Sequence, residues 1–169
     1  MLEGPYGTLL TSADSALVVV TTMAEGESAG CVVGFHSQAS MSPRHYCFWL
    51  SKANHTYRVA LRARHFAIHF LTADDLPIAE AFGTRTGDDT DKFSPLEVET
   101  TEHGVPLLAA CPNRLLLDRL TLLDNGGDHV CLTGHVDSTH CEGSFTPLRL
   151  SDAAHLTPGH DNDDRAIQP

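Results

Sequence analysis

The stretch "GCVVGFHSQASMSPRHYCFWLSKANHT", residues 30–56, combines two apolar runs with the polar segments that separate and follow them. The runs 31–36 and 45–50 are predicted strands, because β-branched and aromatic side chains favour extended structure. A polar loop, residues 34–43, leaves the first run. Asn54 is a good N-cap residue, so the sequence predicts a helix over 54–64 after the second run.

Strands and short helices alternate in the same way through the rest of the chain. Further strands are predicted at 15–22, at 66–71, at 114–124 and in the run that begins at 129, and a second helix at 73–83. The turn residues "NGGD" at 125–128 favour a hairpin between the last two strands. We therefore predict one mainly β, barrel-like domain over residues 1–157 with a few short helices, a polar loop at 84–95 and a disordered tail at 158–169.

Composition and charge exclude several classes of partner. The 169 residues carry a net charge of −11, from 11 Lys and Arg against 22 Asp and Glu. This charge argues against nucleic acid and against an anionic membrane surface. No apolar run approaches the roughly 18 residues that a membrane helix needs, and no signal peptide is visible, so we expect a cytoplasmic protein. The five cysteines form no CxxC pair and are expected to be buried free thiols in a reducing compartment.

Three segments suggest ligand binding, and each has a simpler interpretation. The loop 34–43 offers Ser37, Gln38 and Ser40 with its backbone groups to a flat polar ligand, or is an ordinary connection. The segment 50–56 places Lys52 and Thr56 at a helix N-terminus, where free N–H groups hold a phosphate or are simply capped. Lys92 and Phe93 end an acidic loop, either at a site mouth or as a solvated lysine beside a core phenylalanine.

His129 follows a turn that needs no histidine. The strand after it is expected to place Cys131, Thr133 and His135 on the same face as His129, which raises the question of zinc. Their spacing matches no usual structural zinc site, so zinc is the less favoured interpretation. For His129 alone, the simpler interpretation is a hairpin residue with its ring in solvent.

In combination, these segments resemble the flavin reductase family, whose members fold as the FMN-binding split β-barrel. The stretch 30–56, with S-K-x-x-x-T at its end, follows the family pattern without a gap. The "DKF" at 91–93 and the "GGDH" at 126–129 match further family elements. The resemblance covers roughly residues 15–150. Two segments depart from the family: residues 1–14 replace the usual first helix, and "PLRLSDAAHL" replaces the usual C-terminal segment.

The resemblance implies a role for each of the candidate residues. His129 lies near flavin and nicotinamide as the catalytic residue. The residues implied to line the flavin ring are Phe35, His36, Ser37, Gln38, Ala39 and Ser40; those implied to hold its phosphate are Ser51, Lys52, Asn54 and Thr56; those implied to cover the ring are Lys92 and Phe93.

The resemblance also implies an activity, its cofactors and its partners. The expected enzyme is a homodimer that transfers hydride from NADH or NADPH to FMN, with FAD as the alternative, and passes the reduced flavin to an acceptor or a partner monooxygenase. The cofactor carries this chemistry, and the protein positions it. A flavin-binding electron carrier without nicotinamide reductase activity is the alternative. A metal or haem protein built on His and Cys is a third, less favoured possibility.

Overall fold

The computed structural model describes residues 3–84 and 91–156. Its helices and strands, in chain order, are α1 (Gly4–Ala13), β1 (Val18–Ala24), β2 (Glu27–Val33), β3 (His36–Ser40), β4 (His45–Ser51), α2 (His55–Ala60), β5 (His65–Phe70), α3 (Leu76–Gly83), β6 (Val98–Thr100), β7 (Pro106–Leu108), β8 (Arg114–Leu123), β9 (His129–His140) and a short C-terminal 3-10 helix (Leu150–Ala153). The predicted tail at 158–169 and half of the predicted loop at 84–95, residues 85–90, lie outside the described residues.

Seven of the strands form one antiparallel sheet in the order β2-β1-β5-β8-β9-β4-β3. Alternate side chains of these strands, among them Val20, Phe48, Ile68 and Leu132, fill the main core. Two register shifts between β8 and β9 increase the twist and help the sheet to curl. The strands β6 and β7 form a second, two-stranded sheet. The predicted mainly β fold with a few short helices is confirmed.

The pairing of β4 with β9 positions the region that the sequence singled out. Ser51, the last residue of β4, lies opposite His129, the first residue of β9. The predicted hairpin between β8 and β9 is confirmed, and its turn is closed by a hydrogen bond from Gly126 N to Asp124 Oδ1 at 2.8 Å. Gly126 has φ +84°, a conformation that glycine adopts without steric cost. The hairpin thus holds His129 beside the end of β4.

Three of the predicted local structures were wrong in extent or kind. Residues 36–40 form the edge strand β3, paired with β4, so the loop is shorter than 34–43. An edge strand has one unpaired side, and its exposed positions accept polar residues without loss of pairing. Residues 4–13 are themselves helical, so the usual first helix is not missing. The helix expected over 54–64 ends at Ala60, because the chain turns there to enter β5.

Two further predictions from the sequence concern membrane-spanning helices and free cysteines. Within residues 3–84 and 91–156, no helix is both long and apolar enough to cross a bilayer. All five cysteines are free, and Cys31, Cys47 and Cys111 are buried as expected, whereas Cys141 is exposed.

A fully buried histidine, His69, links three strands. Its Nδ1 donates to the carbonyl of Val19 at 3.2 Å, and its Nε2 accepts a hydrogen bond from the backbone N of Leu108 at 3.1 Å. A protonated ring cannot accept that second hydrogen bond, because both of its nitrogens are donors. Burial accordingly lowers the pKa of His69 from 6.5 to about 4. The ring is neutral in the folded protein.

Because the buried ring of His69 is neutral, we expect the protein to lose stability in acid. The folded-state pKa is below the unfolded one, so the unfolded chain binds the extra proton first. The contribution of His69 to the free energy of unfolding is complete above pH 6.5 and is lost as the pH falls towards 4. It amounts to at most about 3 kcal/mol. Urea unfolding between pH 4 and pH 8 measures it.

The matched variant is His69→Gln, whose neutral amide offers both a donor and an acceptor. It is expected to be less stable than the wild type at neutral pH but to depend less on pH over the acid range. An equal pH dependence in the two proteins would assign the acid sensitivity to other groups.

Candidate functional site

An open cleft of about 520 Å³ lies where the ends of β2 and β4 and the start of β9 face α3 and the C-terminal segment. Its strand side comprises Cys31, Val32, Val33, Gly34, Phe35, Trp49, Ser51, Asn54 and His129; its other side comprises Ser15, Leu17, Phe82, Gly83, Leu150, Ala153 and Leu156. The size is within the roughly 300–1,000 Å³ of small-molecule sites, and mostly apolar walls with a few polar groups are typical of such sites.

Four of the predicted site residues meet in this cleft: Phe35, Ser51, Asn54 and His129. Phe35 occupies the turn between β2 and β3, and its side chain is 53% exposed. Its ring centroid is 5.0 Å from that of His129, with the two planes at 51°. Residues far apart in the sequence therefore bring an aromatic face and an imidazole together at one place.

The ring of His129 is held by its neighbour in the hairpin. Its Nδ1 is 2.8 Å from Oδ1 of Asp128, and this hydrogen bond holds the pKa of Asp128 below its usual value. The Asp128 carbonyl in turn accepts from the backbone N of Lys52 at 2.9 Å. Among the residues that the structure describes, Nε2 of His129 has no hydrogen-bond partner, so this nitrogen is available to a ligand.

Only some of the residues predicted to hold the flavin phosphate line the cleft. Nζ of Lys52 is 2.9 Å from Oδ2 of Asp124, and this contact lowers the pKa of Asp124. Asn54 Oδ1 accepts from the backbone N of Thr56 at 2.9 Å and so caps α2. Thr56 is only 1% exposed and does not line the cleft. The capping interpretation thus describes Asn54, while the phosphate role of all four residues stays a prediction.

The residues of β3 lie outside the cleft lining. The His36 ring is turned inward, where its nitrogens contact the Tyr46 hydroxyl and the Ala16 carbonyl, each at 2.7 Å. Burial lowers the pKa of His36. Ser37, Gln38 and Ala39 are exposed on the edge strand, and Ser40 is half-buried. Of the predicted ring-lining residues 35–40, the structure brings only Phe35 to the cleft.

Lys92 and Phe93 lie behind one wall of the cleft. Lys92 is 6% exposed, and its Nζ donates to the carbonyls of Gly30 at 3.2 Å and Phe82 at 3.0 Å. Burial lowers its pKa. The Phe93 ring packs on Phe82 at 5.4 Å between centroids, and a Cβ at Gly30 would lie 3.0 Å from Phe82. In the structure these residues join β2 to α3 and support Phe82, which lines the cleft.

The sequence did not indicate the apolar side of the cleft. Leu17, Phe82, Leu150, Ala153 and Leu156 come from three separate segments. The first two and Ala153 belong to a second core cluster and Leu156 packs against it, whereas Leu150 is exposed. Apolar residues in a wall have the same pattern as apolar residues in a core, so no local signal marks them. In the described part of the chain, no group of three or more His, Cys, Asp or Glu is arranged to hold a metal ion.

The fold defines a split-barrel protein, the cleft is its candidate site for a small molecule, and comparisons specify its family. Residues 11–154 match the family model of the flavin reductase like domain. The FMN reductase (NADH) SmoA of Agrobacterium fabrum is 31% identical over 138 residues, which cover 81% of this chain and 75% of that protein. The chain belongs to the flavin reductase-like family.

Solved structures of other proteins share the fold. The NADH:FAD oxidoreductase SgcE6 of Streptomyces globisporus has a TM-score of 0.70 at 22% identity, with 85% of this chain and 83% of that chain covered. A crystal structure from Sinorhizobium meliloti has a TM-score of 0.74 at 20% identity over 87% of this chain. This chain spans 51% of that one, about half its length. The split-barrel fold predicted from the sequence is confirmed.

Proposed function

We propose that this protein is a flavin reductase that binds FMN in the cleft, with FAD as the alternative, and reduces it with NADH or NADPH. The observation that carries the proposal is the ligand-sized cleft with Phe35 and His129 in contact at one side. The proposal is supported by the family membership and by the name of the Agrobacterium relative, an NADH-dependent FMN reductase.

The shape and chemistry of the cleft fit a flavin. The isoalloxazine ring is flat and largely apolar, with polar atoms along its edges. The apolar walls match its faces, and Ser51, Asn54 and His129 bring polar side chains to the same cleft. Gly34 has no side chain, and a Cβ there would already contact Leu17 at 3.6 Å. A larger residue at this position would narrow the space for the ring.

The phosphate end of the flavin is proposed to lie near Lys52. A net charge of −11 repels an anion, so the phosphate needs a local cation. Lys52 supplies that cation beside Ser51 and Asn54, both of which line the cleft. Thr56 is buried and is proposed to support the start of α2 from behind. Lys92 and Phe93 are proposed to act on the flavin through the position of Phe82.

The proposed role of His129 is to align the nicotinamide with the flavin. The bound flavin accepts the hydride, and this chemistry belongs to the cofactor. His129 offers Nε2 at the cleft while Asp128 fixes the ring through Nδ1. Donor and acceptor atoms must approach to about 3–3.5 Å, so a fixed polar group beside them affects the rate.

FMN titration of the purified protein tests the binding part of the proposal. We expect saturable binding with a Kd of about 1 μM or tighter, measured by quenching of flavin fluorescence. FAD and riboflavin titrations identify the preferred form. If FMN, FAD and riboflavin all fail to bind, the proposal is wrong.

We further propose a homodimer in which β3 takes part in the interface. Met41, Leu120 and Leu123 are each more than half exposed, and β3 is a free sheet edge. Exposed apolar side chains and unpaired edges are commonly covered by a second subunit. This arrangement would place residues 36–40 near a flavin at the interface, as the resemblance implies. Sedimentation at micromolar concentration should give a dimer, and a monomer that binds flavin tightly would contradict it.

A partner monooxygenase or another acceptor in the cytoplasm would take the reduced flavin, and the free cysteines are consistent with that reducing compartment. The second candidate function is an electron carrier that does not react with nicotinamides. It is favoured by the departure of the C-terminal segment, which forms one wall of the cleft, from the family pattern.

A further inference from the structure

The carboxylate of Asp14 joins the end of the N-terminal helix to the C-terminal 3-10 helix, beside backbone contacts such as that of Leu150 N with the Ser15 carbonyl at 2.9 Å. Oδ1 of Asp14 accepts from the backbone N of Ser151 at 2.9 Å, and Oδ2 accepts from the Ser151 hydroxyl at 2.7 Å. The Arg149 guanidinium donates to the Asp14 carbonyl at 2.9 Å. Three hydrogen bonds therefore join residues that are more than 130 positions apart in the chain.

The backbone of Asp14 aims this carboxylate. Asp14 is the C-cap of α1, with φ +46°, and its N–H contacts the carbonyl of Leu10. Aspartate tolerates this left-handed conformation better than most residues. The hydrogen bonds from Ser151 lower the pKa of Asp14, so the acceptor is a carboxylate at neutral pH. The end of α1 thus presents a fixed acceptor to the 3-10 helix.

The attached segment lines the same cleft as four of the predicted site residues. Leu150, Ala153 and Leu156 line this cleft together with Phe35 and His129. A flavin that lies on the strand side leaves this apolar segment facing the ring. In the proposed reaction the nicotinamide enters between the flavin and this segment, so the width of that gap determines whether it stacks at the roughly 3–3.5 Å needed for hydride transfer.

We infer that Asp14 is a positioning residue that holds the 3-10 helix at the distance at which a nicotinamide ring fits over the flavin. The inference rests on the proposed function and deepens it. The flavin itself is held from the strand side by Phe35, Ser51 and Asn54. Release of the 3-10 helix is therefore expected to weaken the binding of the nicotinamide more than the binding of the flavin.

The variants are chosen to separate the carboxylate from the backbone conformation. Asp14→Gly removes both acceptor oxygens while keeping a residue that adopts positive φ without steric cost. Asp14→Asn keeps an acceptor for the Ser151 N–H and a polar partner for its hydroxyl. Ser12→Ala is the control, because the Ser12 hydroxyl contacts only the Thr8 carbonyl among the described residues, within α1 itself.

Hydrogen exchange of the flavin-free protein tests the attachment without any activity. We expect the amides of residues 150–156 to exchange about tenfold faster in Asp14→Gly, while Asp14→Asn and Ser12→Ala match the wild type. Unchanged exchange in Asp14→Gly would overturn the inference. This outcome is independent of whether the protein reduces flavin, so it distinguishes failure of the inference from failure of the proposed function.

Steady-state kinetics and flavin titration test the consequence. In Asp14→Gly we expect the KM for NADH to rise about tenfold and the Kd for FMN to change by less than about twofold, with recovery in Asp14→Asn. A general structural role would weaken FMN and NADH together, and that result would overturn the inference. If the wild type binds FMN but is not reduced by NADH, the proposed function and the nicotinamide part of the inference both fail.

Discussion

Replacing His129 with alanine is expected to slow the reduction of bound flavin by NADH at least tenfold, and by up to about 100-fold, because misalignment of hydride donor and acceptor has effects of this size. The residue lies at the cleft with Nε2 available and Nδ1 held by Asp128 at 2.8 Å. Its turn is specified by other residues, so the melting temperature and the Kd for flavin should be close to those of the wild type. Stopped-flow reduction under anaerobic conditions gives the rate.

The matched control is His135→Ala. His135 is an exposed residue of the same strand, β9, and lies outside the cleft lining. Its replacement should leave the rate of flavin reduction unchanged. Asp128→Asn tests the orientation of the ring, and we expect a rate between those of the wild type and His129→Ala. A normal rate in His129→Ala would leave this histidine as a turn residue, and a lost fold would make it structural.

Lys52→Ala is expected to weaken FMN binding about 10- to 100-fold while changing riboflavin binding little. Riboflavin lacks the phosphate, and a charge-assisted hydrogen bond contributes about 1.5–3 kcal/mol. Titration of the variant and the wild type with both ligands separates the phosphate contribution from the ring contribution. Equal losses of affinity for FMN and riboflavin would contradict a contact between Lys52 and the phosphate.

The ion pair of Lys52 with Asp124 provides a variant with the opposite expected effect. Asp124→Asn removes the negative charge that lies 2.9 Å from Nζ of Lys52 and keeps an oxygen to accept from Gly126 N. Release of Lys52 should strengthen FMN binding by several-fold, and the gain should disappear in high salt because the interaction is electrostatic. A weaker affinity for FMN in Asp124→Asn would argue against this role of Lys52.

The sequence predicted the elements of the site that are specified locally. The "NGGD" turn predicted the β8–β9 hairpin. The alternation of Phe66, Ile68 and Phe70 predicted a strand, but only the folded structure shows which strands pair with it. The proximity of Ser51 and His129 follows from the β4–β9 pairing, which no local pattern contains. The resemblance to a known family implied that both residues belong to one flavin site, without predicting this strand pairing.

The predicted site residues that lie outside the cleft lining are those whose environment depends on neighbours from other segments. His36 was expected at the flavin, but Tyr46 and the Ala16 carbonyl hold its ring inside the protein. Lys92 follows an acidic loop, yet the carbonyls of Gly30 and Phe82 provide acceptors that allow its burial. A sequence pattern gives the type of each side chain but not the acceptors that the fold places around it.

Anaerobic mixing of the flavin-loaded protein with NADH tests the central claim most directly. We predict that the oxidised flavin absorption disappears within seconds at saturating NADH, with NADPH as the alternative donor, and returns when oxygen is admitted. The same mixture without protein is the control for direct reaction. Flavin that stays oxidised in the loaded protein with both donors would contradict the assignment as a reductase and would leave a flavin-binding electron carrier in its place.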